Sequence, residues 1–395
     1  MIWMTALILQ VGIDAQGGDE EGPQGDSRGF ETQTFPSQNL ADGDDGTGNG
    51  LIPDGVSARA NVLPDPTPPA VVQYINPDIE PLRRPQYRGK YYRALVPATL
   101  DLAERARLAV NALTETVNKN SHGIPYMQVE HMADPPSMTH TVCDLQVVGK
   151  YFAYLPLVRS ASGSSQNMDV EYDFMKMMLR MQGEDGLLYS PTQGWPWVLQ
   201  RHPGVGLPAD SAGVDQVCTL GYGTARALSG FMIYAQKDPT GPWAAAARRL
   251  VEGFKKTINI RGDIAYTFDE WTAPGREVRR EAEPLIGIKG GAMPWISKAF
   301  IQYDRIMGGD PDAVEIAEKI VHWEMGDMNY FTEDGRFQED SPPNGSWCHF
   351  HTHTMDILGT LYVVERTGNQ HLLDRATKAY RYALTAGEPL VGYYP

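Results

Sequence analysis

From about residue 80 onward, apolar positions follow two alternating patterns. In the first, exemplified by VCDLQVVGKYFAYLPLV, VCTLGYGTARALSGFMIYA and TMDILGTLYVVE, apolar residues run nearly all round a helix, with small residues on one side. Such helices are buried on most faces. In the second, exemplified by PWAAAARRLVEGFKK and HLLDRATKAYRYAL, an apolar stripe faces a charged side, which puts those helices on the outside. The two kinds form four pairs, each joined by a short Gly-containing turn. The pairs are 141–160 with 168–182 across SASGSSQN, 214–236 with 242–258 across KDPTG, 292–307 with 312–326 across GGDP, and 349–366 with 370–386 across TGN. An outer helix over 91–118 precedes them without an inner partner. Asn167, Pro242, Asp310 and Pro311 supply helix-start chemistry at the pair turns.

The loops that follow the outer helices also repeat. HGIPYMQVE (122–130), DGLLYSPTQ (185–193), GDIAYTFDE (262–270) and DGRFQED (334–340) each place a Gly turn beside alternating apolar residues, which predicts a short hairpin. Inner helix, outer helix and long loop, repeated around an axis, predict an all-α fold. It is an (α/α) toroid with short β-hairpins in its loops.

The stretch HFHTHTMDILGTLYVVERTGNQHLLDRATKAYRYAL carries a His-rich start, a small-residue inner helix, a TGN turn and an outer helix with A-x-x-x-Y spacing. With the pair plan of 85–395, it resembles the six-hairpin glycosidase superfamily, the (α/α)6 toroids, and distantly the β-L-arabinofuranosidase-type glycoside hydrolases. The resemblance implies a carbohydrate-active enzyme. Those relatives hold a zinc with cysteines and a glutamate, one cysteine acting as nucleophile. No matching Cys cluster stands here, so no catalytic residue is carried over. About nine helices are predicted, against twelve in a closed ring of six hairpins. The expectation is therefore an incomplete, C-terminally truncated toroid, with a naturally open ring of fewer hairpins as the alternative.

Upstream of the toroid the pattern changes. Residues 1–13 are apolar and end in an abrupt acidic switch, which reads as a signal segment over 1–15 and an exported protein, or as a buried apolar end. Residues 16–80 are rich in Gly, Asp and Pro and read as a disordered acidic linker, leaving 81–395 as the toroid domain. The chain of 395 residues carries a formal net charge of -15. Most of it sits in 14–80, where roughly 13 Asp/Glu face about 2 Lys/Arg. Without a basic stripe, nucleic acid is not an expected partner. Without a run of about 18 apolar residues, no membrane span is expected. Cys143, Cys218 and Cys348 are far apart, and give neither a disulfide framework nor a zinc-binding pair.

Loops entering the inner helices form the rim of a cleft in such a plan, and the polar and aromatic oddities fall there. Trp195, Trp197, Trp271, Trp295 and Trp347 offer flat faces for sugar rings, or else cover the rim of the core. Glycoside hydrolysis needs two carboxyls across the scissile bond. The candidates are Asp144, Asp215, Asp269, Glu270, Glu339 and Asp340. Asp144 and Asp215 begin apolar inner helices, where burial shifts a pKa, and where a charge complementing the helix dipole is the plainer explanation. The expected catalytic set is Asp215, Asp144, Glu270 and His351. Substrate binding falls to Trp195, Trp197, Trp271, Trp347, His349, His353 and Arg201.

His349, His351 and His353, with Asp356 three residues on, form the sharpest local cluster. On a helix His349, His353 and Asp356 share a face, so a metal there is geometrically open. The preferred role is hydrogen bonding to substrate or acid/base help, with helix capping and packing as the alternative, and no metal or other cofactor is assigned. Cys348, beside them, reads as a buried inert thiol more readily than a thiolate. The expected function is an exported glycoside hydrolase acting on a plant or microbial polysaccharide or oligosaccharide. A polysaccharide lyase is the alternative, using Tyr126, Tyr189, Tyr266, Arg201 or His351, and so is a non-catalytic sugar-binding module.

Overall fold

The computed structural model describes residues 73–87, 101–118, 123–126, 128–130, 135–139, 144–190, 218–267, 271–277, 293–328, 330–338 and 350–387. All of these lie in one unit, Leu63–Pro395. Among them are nine α-helices: α1 (Leu102–Glu115), α2 (Asp144–Ser162), α3 (Met168–Arg180), α4 (Tyr222–Lys237), α5 (Trp243–Thr257), α6 (Met293–Met307), α7 (Pro311–His322), α8 (Phe350–Thr367) and α9 (Gln370–Thr385). A five-residue π turn, Trp323–Asp327, extends α7.

The two helix kinds sort as their patterns predict. Inner helices α2, α4, α6 and α8 pack side by side in series, each against the next. Residues Met293 to Asp304 of α6 are all buried, as an all-round apolar helix requires. Outer helices α3, α5, α7 and α9 each pack on the inner helix before them, and α1 packs on α2. On α5, Ala246, Ala247, Leu250, Val251 and Phe254 are buried while Arg248, Arg249 and Glu252 face outward. Aromatic rings fill the seam between α2, α4 and α5. Phe152 lies 5.2 Å from Phe231 and 5.0 Å from Tyr234, and Tyr234 lies 5.0 Å from Trp243. Each such side chain contributes roughly 1.5–3 kcal/mol by leaving water.

Several local signals act as read. Asp310 caps α7 by accepting from the Ala313 N–H at 3.0 Å, with Pro311 at the first helical position. Asn369 of the TGN turn caps α9, accepting from the N–H groups of His371 and Leu372. Two expectations need correction. Asn167 precedes α3 in a left-handed conformation, but its amide does not cap the helix. It donates instead to Thr114 Oγ1 and Glu115 Oε1 of α1, fastening α1 to the α2–α3 turn. The second inner helix does not run from 214. Cys218–Thr219 is a strand, β5, and α4 begins only at Tyr222. The β-branched Thr219 favours extended backbone, and Gly221 turns the chain at φ +80°.

Each outer helix from α1 to α7 is followed by a two-stranded element, as the loop repeats predict. After α1, β1 (Val117–Asn118) pairs antiparallel with β2 (Ile124–Pro125). After α3 comes the bridge of Gln182 with Leu188, and after α7 that of Phe331 with Phe337. After α5, β6 (Ile258–Arg261) pairs with β7 (Ile264–Thr267). Two of the turns rest on a neighbouring outer helix. A Cβ on Gly186 would stand 2.0 Å from the Arg249 carbonyl oxygen of α5, and one on Gly335 would stand 2.5 Å from the Lys378 carbonyl carbon of α9. Both glycines also have positive φ, so neither site admits another residue without strain.

Before α2, β3 (Gln128–Glu130) pairs with β4 (Ser137–Thr139). β5 pairs with β8 (Trp271–Thr272), joining the loop into α4 to the loop that leads to α6. The segment 73–87, which crosses residue 80, runs extended along α3. Asn76 N–H donates to the Arg180 carbonyl, Tyr172 O–H to the Leu82 carbonyl, and Tyr87 O–H to Glu171. No helix among the described residues is long and apolar enough to cross a membrane.

Candidate functional site on the inner helices

Each of the four inner helices contributes to one chain of cationic and aromatic side chains. Arg226 of α4 lays its guanidinium 3.9 Å above the Trp295 ring of α6. Lys298, one helical turn beyond Trp295, places Nζ 5.2 Å from that ring and 5.4 Å from the ring of Tyr362 on α8. On the other side Tyr154 of α2 feels the charge of Arg226, which opposes the upward push that burial gives its phenol. Arg226, Trp295 and Lys298 are only 4%, 7% and 5% exposed, while Tyr154 and Tyr362 are half-buried. The Trp295 indole N–H is buried with no hydrogen-bond partner.

Cations on an indole face gain about 0.5–2 kcal/mol, more where water is excluded. The arrangement also sets what the wall can bind. The half-buried phenols of Tyr154 and Tyr362 are the members of this group that can meet a ligand, offering ring edges and hydroxyls, while Arg226, Trp295 and Lys298 pack behind them.

A second group lies one layer out. Glu324, in the π turn after α7, and Asp356 of α8 are both 0% exposed. None of their four carboxylate oxygens has a hydrogen-bond partner. Burial pushes both carboxyls well above the ordinary range, and the Asp356 charge adds to the push on Glu324.

The residues expected from sequence are placed as follows. Asp144 is the first residue of α2. Asp215, expected at the start of the second inner helix, lies outside the described residues; that helix, α4, begins at Tyr222 behind β5. So do Trp195, Trp197, Arg201, Asp269, Glu270, Glu339, Asp340, Trp347, Cys348 and His349. Trp271 stands in β8 with its backbone paired to Thr219, close in sequence to the start of α4. His351 is exposed in the first turn of α8.

His353 does not face a cleft. It is 0% exposed, with Nε2 3.2 Å from the Tyr330 carbonyl oxygen and its ring stacked 4.4 Å from Phe337 and 4.7 Å from Tyr330. The apolar face of α8 draws it into the core. Asp356, on the same face, is buried as well, and among the described residues no group of three His, Cys, Asp or Glu is spaced to hold a metal ion. Tyr189 and Tyr266, considered as lyase bases, are also core residues. Tyr189 is 1% exposed and donates to Asp185, and Tyr266 packs 5.6 Å from Trp323. The thiol of Cys218 is fully buried and pushed up to about 12, so it is no thiolate.

No motif in the sequence singles out Arg226, Lys298 and Glu324. Their signal is a charged residue inside an otherwise apolar run, as in YGTARALSGFMIYA, MPWISKAFIQY and HWEMGDM. A charge at such a place must be accommodated inside the fold.

No protein-family model matches the chain, and no curated protein matches it either. Solved structures do. Cellobiose 2-epimerase from Bacillus thermoamylovorans B4167 is matched with a TM-score of 0.51 at 13% identity, over 72% of this chain and 70% of that one. A sugar epimerase from a ruminal bacterium is matched at 0.49 and 12% identity, over 73% and 72%. A GH76 α-mannanase from Bacteroides thetaiotaomicron is matched at 0.42 and 10% identity, over 65% and 60%. At such identities the likeness is one of fold. The helix pairs, their series packing and the first of these matches agree that the chain has an (α/α) toroid fold.

Proposed function

We propose that the chain is a carbohydrate-active enzyme, and specifically a glycoside hydrolase acting on a polysaccharide or oligosaccharide. The observation that carries this reading is the wall of Tyr154, Arg226, Trp295, Lys298 and Tyr362, one or two residues from each inner helix. It is an aromatic and cationic cluster shared by the four inner helices, on a fold similar to that of a cellobiose 2-epimerase. The buried Glu324 and Asp356 cannot touch a substrate from where they stand, so in this reading the acid and base come from the rim. Asp144, Asp215 and Glu270 remain the proposed carboxyls, with His351 assisting and Trp195, Trp197, Trp271, Trp347, His349 and Arg201 binding the sugar. Export is part of the proposal and rests on the apolar 1–13 segment. Its test is the N-terminal sequence of the protein recovered outside the cell.

A second reading, a polysaccharide lyase, is favoured by one observation. Two cations flank a single indole, and a lyase needs a positive group to neutralise a uronate carboxylate. One experiment separates the readings. The purified protein is incubated with a panel of neutral and uronate-containing glycans, and reducing ends are measured beside the ultraviolet absorbance of unsaturated uronates. New reducing ends without absorbance support hydrolysis, and absorbance supports the lyase. Conversion of a free disaccharide with no new ends would replace both with an epimerase. Binding without turnover leaves a sugar-binding module.

A further inference from the structure

Proline recurs four residues apart in the segment 73–87, at Pro77, Pro81 and Pro85. Proline holds φ at about −65° and lacks an N–H, so the stretch reads as an extended chain without a full row of ladder donors. It runs antiparallel to α3. Asn76 sits at the C-terminal end of that helix, where its backbone N–H donates to the Arg180 carbonyl at 2.9 Å and its side-chain amide to the Leu179 carbonyl at 3.4 Å. The last carbonyls of a helix have no intrahelical partners, and Asn76 supplies them from over a hundred residues away. Further along, the Tyr172 hydroxyl donates to the Leu82 carbonyl at 3.1 Å, and Arg84 meets Asp169 of the first turn at 2.8 Å.

These contacts are those of a docked ligand. No residue of 73–87 is fully buried, whereas Glu171, Phe174, Met175 and Met178 of α3 are. Ile75, Ile79 and Leu82 rest against the core from outside. Tyr172, Lys176 and Arg180 recur at intervals of four and so share one face of α3. The Tyr172 ring is shared by two cations, Arg84 at 5.2 Å and Lys176 at 4.8 Å, and Arg180 stands 5.9 Å from the ring of Tyr74. At the far end Tyr87 presents its ring to Lys237 of α4 at 4.7 Å and its O–H to Glu171. An aromatic ring, a hydroxyl that reaches a backbone carbonyl and an acid that faces an arginine suit an extended proline-rich chain.

We propose that this face of α3 is a recognition surface for extended, proline-rich chains that carry an arginine, and that 73–87 is its resident, displaceable ligand. Such a chain is extended before it binds and loses little conformational freedom on docking. The Arg84–Asp169 pair is solvent-exposed, with side chains 61% and 78% accessible, so it sets register and orientation more than strength. Tyr87 is the anchor, since its hydroxyl reaches the buried Glu171. Being tethered, the resident segment competes at an effective concentration on the order of millimolar, and it keeps other chains off until it is released. The surface belongs to the outer layer and does not depend on the sugar chemistry proposed above.

The probe is a fluorescently labelled synthetic peptide with the sequence of residues 73–87, titrated against the full chain and read by anisotropy. In the variant carrying Arg84→Ala and Tyr87→Phe, the resident segment is weakened while α3 is untouched. The expected result is saturable binding to this variant, about tenfold or more tighter than to wild type. Adding Asp169→Lys and Tyr172→Phe on α3 is expected to weaken that binding about tenfold. No saturable binding up to about 1 mM, the concentration the tether imposes, overturns the proposal. So does binding indifferent to the α3 substitutions. Should the variants fail to fold, hydrogen exchange of the wild type, followed by mass spectrometry, decides. The 73–87 amides are expected to exchange through local opening while the α3 amides stay protected. Exchange of 73–87 only together with α3 would make the segment an integral part of the fold and overturn the proposal.

Discussion

Gly149 of α2 lies against Gly223 of α4 so closely that a Cβ on Gly149 would stand 2.2 Å from the Gly223 carbonyl oxygen. This is where two neighbouring inner helices approach backbone to backbone, and the small residues seen in the inner-helix sequences are its cause. Gly149→Ala must force the helices apart, at a cost of about 1–3 kcal/mol for overpacking, against a helix-propensity gain of about 1 kcal/mol. The expected outcome is a lower midpoint in urea than wild type. Gly326→Ala is the control, because nothing lies within 4 Å of a Cβ there. Equal midpoints for the two variants would remove the close approach as a determinant of ring packing.

Arg159 of α2 and Glu171 of α3 form an ion pair at 2.5 Å with both side chains at 0% exposure. Arg159 also donates to the carbonyls of Ser164 and Asn167, while Glu171 accepts from the hydroxyls of Tyr234 and Tyr87. The pair thus ties an inner helix, its turn, its outer helix and the extended 73–87 segment together. Removing one member leaves a buried charge unpaired, which costs about 3–5 kcal/mol. Glu171→Leu is predicted to be severely destabilised in denaturant titrations. Tyr87→Phe loses only one hydrogen bond to a charged group, about 1.5–3 kcal/mol, and should release 73–87 to limited proteolysis first. An unchanged cleavage pattern in Tyr87→Phe would show that the segment is held elsewhere.

How much of this was legible in the sequence depends on what fixed each feature. Helix pairing was legible because it is local: TGN before α9 and GGDP before α7 carry their caps within three residues of the helices they start. The loop hairpins were legible because alternation and a Gly turn lie within a few residues of one another. The start of α4 is not legible locally, because VCTLGYG is apolar enough to continue a helix, and only pairing with Trp271 and Thr272, over fifty residues away, makes Cys218 and Thr219 a strand. The His and Thr neighbours of His353 suggest a substrate-facing residue, yet its three aromatic contacts come from 330–337. The cluster of Arg226, Trp295 and Lys298 is likewise a product of tertiary packing. No spacing rule along the chain encodes which helix faces which.

Cys218 offers a check on the interior at the mouth of α4. Its thiol is held at about 12 by burial, with the Thr224 hydroxyl 3.6 Å from Sγ pulling weakly the other way. Only the thiolate reacts readily with alkylating reagents. At pH 8 the native protein should therefore leave Cys218 unmodified by iodoacetamide, and denaturant should expose it fully, as read by mass spectrometry of the Cys218 peptide. The stability that the neutral thiol contributes is complete below about pH 8.5, the usual thiol value, and is lost only as pH climbs from there toward 12. Modification in the native state at pH 8 would mean that the β5–β8 corner opens without global unfolding.

The inner wall makes the sharpest functional prediction, because its members come from four helices and share one ring. Trp295→Phe keeps an aromatic filler but removes the indole N–H and weakens the seat for Arg226 and Lys298, since indole is the best cation platform. Arg226→Lys keeps the charge but loses the flat guanidinium stacked 3.9 Å above the ring. Both should fold, because volume and charge are largely retained. On whichever glycan the wild type turns over, each variant is expected to lose about tenfold or more in kcat/KM, equivalent to about 1.4 kcal/mol of transition-state binding. Their Tm should stay within a few degrees of wild type. Leu102→Ala, on the exposed face of α1, serves as the surface comparison. If both wall variants keep full activity, the substrate does not reach the inner helices, and the catalytic centre must lie wholly in the rim loops.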